Sequence, residues 1–261
     1  PGIMGVDADP GPIGDKGAGL KIAKGEIEGP VELVARYRRP APRPEAGQAL
    51  ATREILGLAE ALQKGEQAAL SETFVQVWKN NLQDAGLDAG YRAPLLTLPS
   101  EKFLAEQMDP IEPIWLAKAR HAVRENLGKA AASEWNATLQ GNDTPGPYSP
   151  DPISAGRRSL KNLALAYLMA AGDLAACQQA LVQYQAAQNM TDCMGALGAI
   201  VNYHHGDKRQ EAIVDFYEKW QHNPLVIDKW FALQATAADT RTETIRGLMA
   251  FTEPGVAFLP A

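Results

Sequence analysis

Apolar residues recur every three or four positions through most of the chain after residue 45, with polar residues between them. This spacing is typical of an α-helix that buries one face. The clearest examples are 49–62 and 157–171, and the second of these ends at Gly172, a common helix stop. The pattern therefore predicts an all-α protein.

Residues that favour helix N-termini divide this region into separate helices. The predicted N-cap residues are Ser71, Ser100, Thr191, Asp207, Asn223 and Thr240. Asn223 is followed by Pro224, which suits the first helical position. Thr240 is followed three residues later by Glu243, which is a capping-box pattern.

Short connections between helices of similar length are typical of helix pairs stacked into a superhelix. The segment 111–139 is long enough for one long helix or two short ones, and the proline-rich segment 141–152 is predicted to be a loop. No strict repeat period is visible, so we predict an irregular superhelix. A compact helix bundle is the alternative.

The two ends of the chain differ from this helical region. Residues 1–44 begin with a Gly-rich stretch that lacks helical periodicity, and we interpret them as irregular or foreign to the domain. Within them, 31–37 alternate weakly and would form a short strand. The predicted organisation is an irregular segment 1–44, a helical domain 45–250 and an irregular tail 251–261.

Composition narrows the classes of function. The 261 residues carry a formal charge of −6, which argues against nucleic-acid binding because that relies on Lys and Arg. The longest strongly apolar run, 163–171, is far shorter than the roughly 20 residues that span a bilayer. Two cysteines give no disulfide framework, which favours a reducing, cytoplasmic location.

Several strings resemble a known family. Asn189-Met190-Thr191-Asp192, 216–220 and 228–236, in this order and spacing, resemble the C-terminal helical domain of bacterial aminopeptidase N. Further strings that resemble this domain are 45–48, 94–100, 109–114, 157–162 and 168–172. The resemblance covers about 45–249. It implies that the chain is one piece of such an enzyme and that the strand expected at 31–37 is a remnant of the preceding β domain.

This resemblance implies a fold and a partner. The family consists of zinc-dependent exopeptidases that remove N-terminal residues from peptides. Its C-terminal domain is a HEAT/armadillo-like superhelix that covers a thermolysin-like catalytic domain. The two domains close a chamber that admits short, unfolded peptides and excludes folded proteins. The implied partner is therefore a catalytic domain, which holds the zinc.

The motifs of that zinc chemistry are absent from the sequence. The metal site needs His-Glu-x-x-His, but His121, His204, His205 and His222 are followed by Ala, His, Gly and Asn. The substrate-amine motif Gly-x-Met-Glu-Asn is also missing, because no Met precedes a Glu. We therefore expect no catalytic, cofactor-binding or metal-binding residue in this chain, and no hydrolysis of aminoacyl substrates by it alone.

Other reactive side chains have structural interpretations. His204 and His205 would lie at a solvated helix C-terminus, where a partly cationic side chain suits the helix dipole. Cys177 and Cys193 lie on consecutive predicted helices and would be buried as small apolar groups. The serines that lie outside any nucleophile motif are Ser133, Ser149 and Ser154. The glycines that lack the spacing of a phosphate-binding loop are Gly14, Gly17 and Gly19.

Polar and aromatic candidates in the helices are interpreted in the same way. Asn189 and Asp192 are expected to cap or bridge adjacent helices. Trp230 is expected to pack inward, with Asp228 and Lys229 facing water or a neighbouring helix. The tryptophans that would otherwise mark a partner surface are Trp78, Trp115 and Trp135, and we expect at least two of them in the core.

Two functions follow from these observations. The first is a non-catalytic helical domain that helps to enclose the chamber of an aminopeptidase. The alternative is a stand-alone helical-repeat scaffold that binds a protein or peptide. Exposed apolar helix faces at the ends of a superhelix would also favour self-association.

Overall fold

The computed structural model describes residues 44–66, 69–204 and 206–251. Within them the chain forms twelve helices and no strand, so the all-α prediction is confirmed. The expected strand at 31–37 and the glycines at 14, 17 and 19 lie outside the described residues. The helices are α1 (Pro44–Gln63), α2 (Glu72–Gln83), α3 (Ala89–Leu95), α4 (Glu101–Ala105), α5 (Pro113–Ala130), α6 (Ala132–Gly141), α7 (Pro152–Ala170), α8 (Leu174–Ala186), α9 (Met190–Tyr203), α10 (Asp207–Trp220), α11 (Pro224–Ala235) and α12 (Thr242–Phe251).

Three of the predicted helix starts are confirmed. The hydroxyl of Ser71 accepts a hydrogen bond from the backbone N–H of Phe74, and Ser100 caps α4 through Phe103 in the same way. Asn223 is the N-cap of α11 with Pro224 in the first turn, although its side chain makes no capping hydrogen bond. The two serines satisfy backbone N–H groups that a helix start leaves free, and Pro224 has no N–H that would need a partner.

Three other predicted caps are wrong. Helix α9 begins two residues earlier than expected, and its N-cap is Asn189, not Thr191. Gly206, at φ +117°, is the N-cap of α10, which places Asp207 inside the first turn. Helix α12 begins at Thr242. The hydroxyl of Thr240 instead donates to the backbone carbonyl of Gln234 at 2.6 Å.

Of the two remaining boundaries, the division of 111–139 into two helices is one of the predicted alternatives, and only the start of α7 differs from the prediction. The segment 111–139 forms two helices, α5 and α6, separated at Ala131, whose φ of −119° is not helical. Helix α7 begins at Pro152, five residues before the expected 157, because Asp151 caps it by accepting from the N–H of Ser154 at 2.9 Å. The short helix α3 was not predicted.

Helix α7 is the centre of the described core. It packs against α3, α5, α6, α8 and α9. Its Tyr167 is fully buried, stacks on Trp135 of α6 with ring centroids 4.3 Å apart, and donates to the carbonyl of Leu96 at 3.0 Å. Burial raises the pKa of the Tyr167 phenol far above its usual range. These contacts fix α7 relative to the N-terminal helices.

The C-terminal helices stack in chain order on this centre. Helix α9 packs on α8, α10 on α9, α11 on α10 and α12 on α11. Buried Phe216 and Trp230 fill the space between α10 and α11, and the indole N–H of Trp230 donates to the carbonyl of Ile213 at 2.8 Å. Arg209 makes two hydrogen bonds of 2.7 Å to Asp239, which joins α10 to the α11–α12 connection. This succession is the pattern expected of stacked helix pairs.

Candidate functional site

A solvent-accessible cleft of about 790 Å³ lies beside α7, and we call it the polar cleft. Its walls are residues 139–149, the first half of α7, and residues 179–192 at the end of α8 and the start of α9. The floor carries three cationic side chains of α7, which are Arg157, Arg158 and Lys161. Clefts of this size fall within the range of small-molecule sites, about 300 to 1,000 Å³.

Lys161 forms the electrostatic centre of the polar cleft. Its ammonium lies 3.2 Å from a carboxylate oxygen of Asp192 and 3.4 Å from one of Asp143. The side chains of Lys161 and Asp192 are each only 9% exposed, while that of Asp143 is 68% exposed. A buried ammonium is costly without a partner, so Lys161 depends mainly on Asp192.

A network of amides surrounds Asp192. Its carboxylate accepts from Asn162 at 3.3 Å and from Asn189 at 3.0 Å. Asn162 also donates to the carbonyl of Thr191, and Gln183 donates both to Asn162 at 2.7 Å and to the carbonyl of Asp192 at 3.0 Å. The network therefore joins α7, α8 and α9 through direct hydrogen bonds between their side chains and backbones.

The two arginines of the cleft are held differently. Arg158 is 3% exposed, donates to the carbonyl of Ser149 at 2.8 Å, and lies 4.7 Å from the ring centre of Tyr148. Its Nε is buried without a hydrogen-bond partner in the structure. Arg157 is half-buried and donates to the carbonyl of Gly141 at 3.1 Å. Arg158 therefore holds the 142–151 loop, and Arg157 holds the end of α6, each through a backbone carbonyl.

The polar cleft brings together two of the strings that carry the family resemblance. Residues 157–162 supply the cations and Asn162, and 189–192 supply the cap and the central carboxylate. The expectation that Asn189 and Asp192 cap and bridge helices is confirmed, because Asn189 accepts from the N–H of Asp192 at 2.9 Å. Sequence reasoning missed Asp143 and Gln183, whose roles depend on how a loop and a neighbouring helix pass the cleft.

A second polar cluster joins α8 to α10. The phenol of Tyr184 donates to Asp215 at 2.6 Å, and Lys219 lies 2.8 Å from the same carboxylate oxygen. Burial and the hydrogen bond to Asp215 raise the pKa of Tyr184 far above its usual range. Burial would raise the pKa of Asp215, but hydrogen bonds from Lys219 and Tyr184 outweigh it and hold that pKa below its usual value.

The cysteines and histidines lie apart from the polar cleft. Cys177 and Cys193 are free and half-buried, and burial raises the pKa of both thiols, which makes them less reactive. His204 is the C-cap of α9 and is half-buried, whereas the side chain of His205 lies outside the described residues. His121 and His222 are exposed. Within the described ranges no group of three or more His, Cys, Asp or Glu residues could hold a metal ion.

The remaining candidates have the structural roles expected of them. Trp78 and Trp135 are buried in the core, while Trp115 is half-buried beneath Lys118, whose ammonium lies 4.5 Å from the ring centre. Trp230 is buried, and its neighbours Asp228 and Lys229 are exposed.

The three serines also have local roles. Ser133 donates to Glu134, Ser149 accepts from the N–H of Asp151, and the N–H of Ser154 binds the capping carboxylate of Asp151. No described helix has both the length and the apolar character of a membrane span.

Comparison with known proteins gives three similar relatives. The chain is 32% identical over 222 residues to aminopeptidase N of Escherichia coli (strain K12), which covers 83% of this chain and 25% of that protein. It is also 32% identical to aminopeptidase N of Caulobacter vibrioides and of Haemophilus influenzae, each over 211 residues. These alignments cover 80% and 78% of this chain and 24% and 23% of those proteins. The chain therefore spans about a quarter of the length of these relatives.

The structural comparison agrees in fold. The crystal structure of Legionella pneumophila aminopeptidase A in complex with aspartic acid superposes with a TM-score of 0.70 at 23% identity. The superposition covers 87% of this chain and 27% of that one. At this identity the likeness concerns the fold alone.

Residues 31–253 match the family described as "Domain of unknown function (DUF3458_C) ARM repeats". The match confirms the predicted helical-repeat superhelix in preference to the compact bundle. Together with the aminopeptidase relatives, it also confirms the resemblance noted in the sequence. The chain belongs to this family of ARM-repeat domains.

Proposed function

We propose that this chain is the non-catalytic helical domain of an aminopeptidase N and helps to enclose the chamber in which peptides lose their N-terminal residues. The observation that carries this proposal is the 32% identity over 222 residues to a relative that bears that name. The alignment spans only a quarter of the relative, so the peptidase chemistry would belong to another part of the enzyme.

The geometry fits a supporting role. Three side chains at the polar cleft lie in strings that resemble the family, and they are Lys161, Asn162 and Asp192. Asp192 forms an ion pair with Lys161 and accepts a hydrogen bond from Asn162. Such groups fix the relative positions of helices. A superhelix of fixed curvature can cover a neighbouring domain and restrict entry sterically.

The proposed partner is a catalytic domain that holds the zinc of the parent enzyme. We also propose the division into residues 1–44, 45–250 and 251–261, and a cytoplasmic location for the parent. Under this proposal the chamber admits short, unfolded peptides because folded proteins are too large to pass.

Two measurements test the proposal. The full chain, supplied with zinc and a chromogenic aminoacyl amide, is expected to show no turnover, with intact E. coli aminopeptidase N as the positive control. In a pull-down, the chain is expected to bind the E. coli enzyme lacking its own matching quarter, with that E. coli quarter added back as the positive control.

Either of two results would contradict it. Metal-dependent hydrolysis by the chain alone that survives repurification would place catalysis within these 261 residues. Failure to bind the shortened enzyme, when the matching E. coli segment binds it, would favour a scaffold with unrelated partners.

A further inference from the structure

We propose that the polar cleft binds the carboxylate group of a small molecule or short peptide, held by Arg157 and Arg158. The proposal rests on the contacts of the cleft and is independent of the aminopeptidase assignment. The volume of the polar cleft, about 790 Å³, is sufficient for a short peptide.

The charges of the cleft are unevenly matched. Lys161 is paired with both cleft carboxylates, Asp192 at 3.2 Å and Asp143 at 3.4 Å. Among the described residues, no carboxylate oxygen lies within the 4.0 Å ion-pair distance of Arg157 or Arg158. Three cations therefore face two carboxylates, and the uncompensated charge is on the arginines.

Arg158 is the stronger of the two observations, because it is almost completely buried. It is 3% exposed. Among the described residues, its partners are the backbone carbonyl of Ser149 and the face of Tyr148, and its Nε has no hydrogen-bond partner there. Burial of a guanidinium without a counter-ion is costly, so an anion that reaches it gains more than it would at an exposed arginine. The planar fork of arginine matches the two oxygens of a carboxylate.

The acidic residue closest in sequence is already engaged elsewhere. The carboxylate of Asp151 caps α7 through the N–H of Ser154. Hydrogen bonds from Ser149 and Ser154 hold the pKa of Asp151 well below its usual range, as expected for a carboxylate committed to a cap. Asp151 therefore does not serve as a counter-ion for Arg158.

The test uses the full chain and isothermal titration with N-acetyl-Ala-Ala, whose one charged group is its carboxylate. The matched probe is the same dipeptide with a C-terminal amide. The free acid is expected to bind in the millimolar range or better, and the amide about tenfold or more weakly, because a charge-assisted hydrogen bond is lost. Inorganic phosphate is the third probe and is expected to bind more weakly than the free acid.

Variants locate the site. Arg157→Gln and Arg158→Gln are each expected to weaken binding of the free acid about tenfold. Lys208→Gln is the control, because Lys208 is exposed on α10 and pairs with Glu211 outside the cleft. If Arg158→Gln does not fold, the half-buried Arg157 decides the question.

Three results would overturn the proposal. The first is no binding of the free acid at 10 mM, about the weakest affinity of interest. The second is equal binding of acid and amide, or binding that Arg157→Gln leaves unchanged. The third is tighter binding of phosphate than of the dipeptide, which would assign the cleft to another class of anion.

Discussion

At the scale of single residues, the side chain of Asn162 on α7 packs closely against the backbone of α9 at Gly195, beside the polar cleft. A Cβ atom placed on Gly195 of α9 would lie 2.4 Å from Cγ of Asn162. Asn162 cannot easily turn away, because it is bonded to Thr191, Gln183 and Asp192. Gly195 is therefore the position at which α9 allows the amide network to reach α7.

This contact predicts opposite effects for two glycines of the same helix. Gly195→Ala is expected to lower the free energy of unfolding by about 1–2 kcal/mol, because overpacking displaces Asn162. Gly198→Ala is the matched control. Its Cβ would meet only Leu233, at an ordinary 3.7 Å, and alanine raises helix stability by up to about 1 kcal/mol. Urea unfolding followed by circular dichroism measures both, and equal effects of the two substitutions would contradict the role of Asn162.

At the scale of helices, the crossing of α5 and α7 depends on another close approach. A Cβ on Gly128 of α5 would lie 2.3 Å from the backbone carbonyl oxygen of Tyr167. That oxygen accepts from the N–H of Ala171 at 3.0 Å and belongs to the last turn of α7. A backbone atom in a hydrogen-bonded helix cannot rotate away, so the two helices would have to separate.

Gly128→Ala is accordingly expected to cost about 2–3 kcal/mol of unfolding free energy, at the upper end of overpacking effects. Gly57→Ala in α1 is the control, because a Cβ there meets nothing within 4 Å and the position is exposed. That substitution should stabilise the protein by about 1 kcal/mol through helix propensity alone. Thermal melting of the two variants checks the prediction, and a neutral Gly128→Ala would mean that α5 and α7 are not held at this distance.

The sequence predicted helices well where their signals are local. Ser71 and Ser100 were readable as caps because each bonds to a backbone N–H only three residues away. Thr191 was preferred wrongly because Asn189, two residues earlier, is the better N-cap by residue type, and its side chain accepts from the N–H of Asp192 at 2.9 Å. Helix α3 was missed because it is seven residues long and contains Pro94.

The candidate site was predictable only in part, for a related reason. The bridging roles of Asn189 and Asp192 follow from residue type and position near a helix start. The pairing of Lys161 with Asp143 joins residues 18 apart through a loop whose path no periodicity specifies. The burial of Arg158 depends on the same loop, so neither the cleft nor its unequal charges could be inferred from the sequence alone.

For the whole molecule, the arrangement of contacts predicts unequal stability along the superhelix. Helix α7 is packed on five other helices, so the core around it cannot open in parts without exposing several faces together. Helices α10, α11 and α12 pack mainly on their neighbours in the chain, and buried residues of α12 are few, Leu248 being one. In stacked repeats, stability is roughly a sum of local and nearest-neighbour contributions, so the end of the stack opens first.

Native-state hydrogen exchange measured by mass spectrometry is expected to show this difference. Amides of α10–α12 should exchange through openings of lower free energy than those of α5–α9. Ile213→Val in α10 should lower protection in α10–α12 by about 1 kcal/mol and leave α5–α7 unchanged, because in stacked repeats a lost core contact weakens mainly its own helix and the helices next to it. Ile55→Val in α1, also a buried position, is the control and should leave α10–α12 unaffected. If Ile213→Val instead lowered protection uniformly, the described helices would unfold as one cooperative unit. The rigidity of the domain would then come from the whole stack of helices and not from the core around α7.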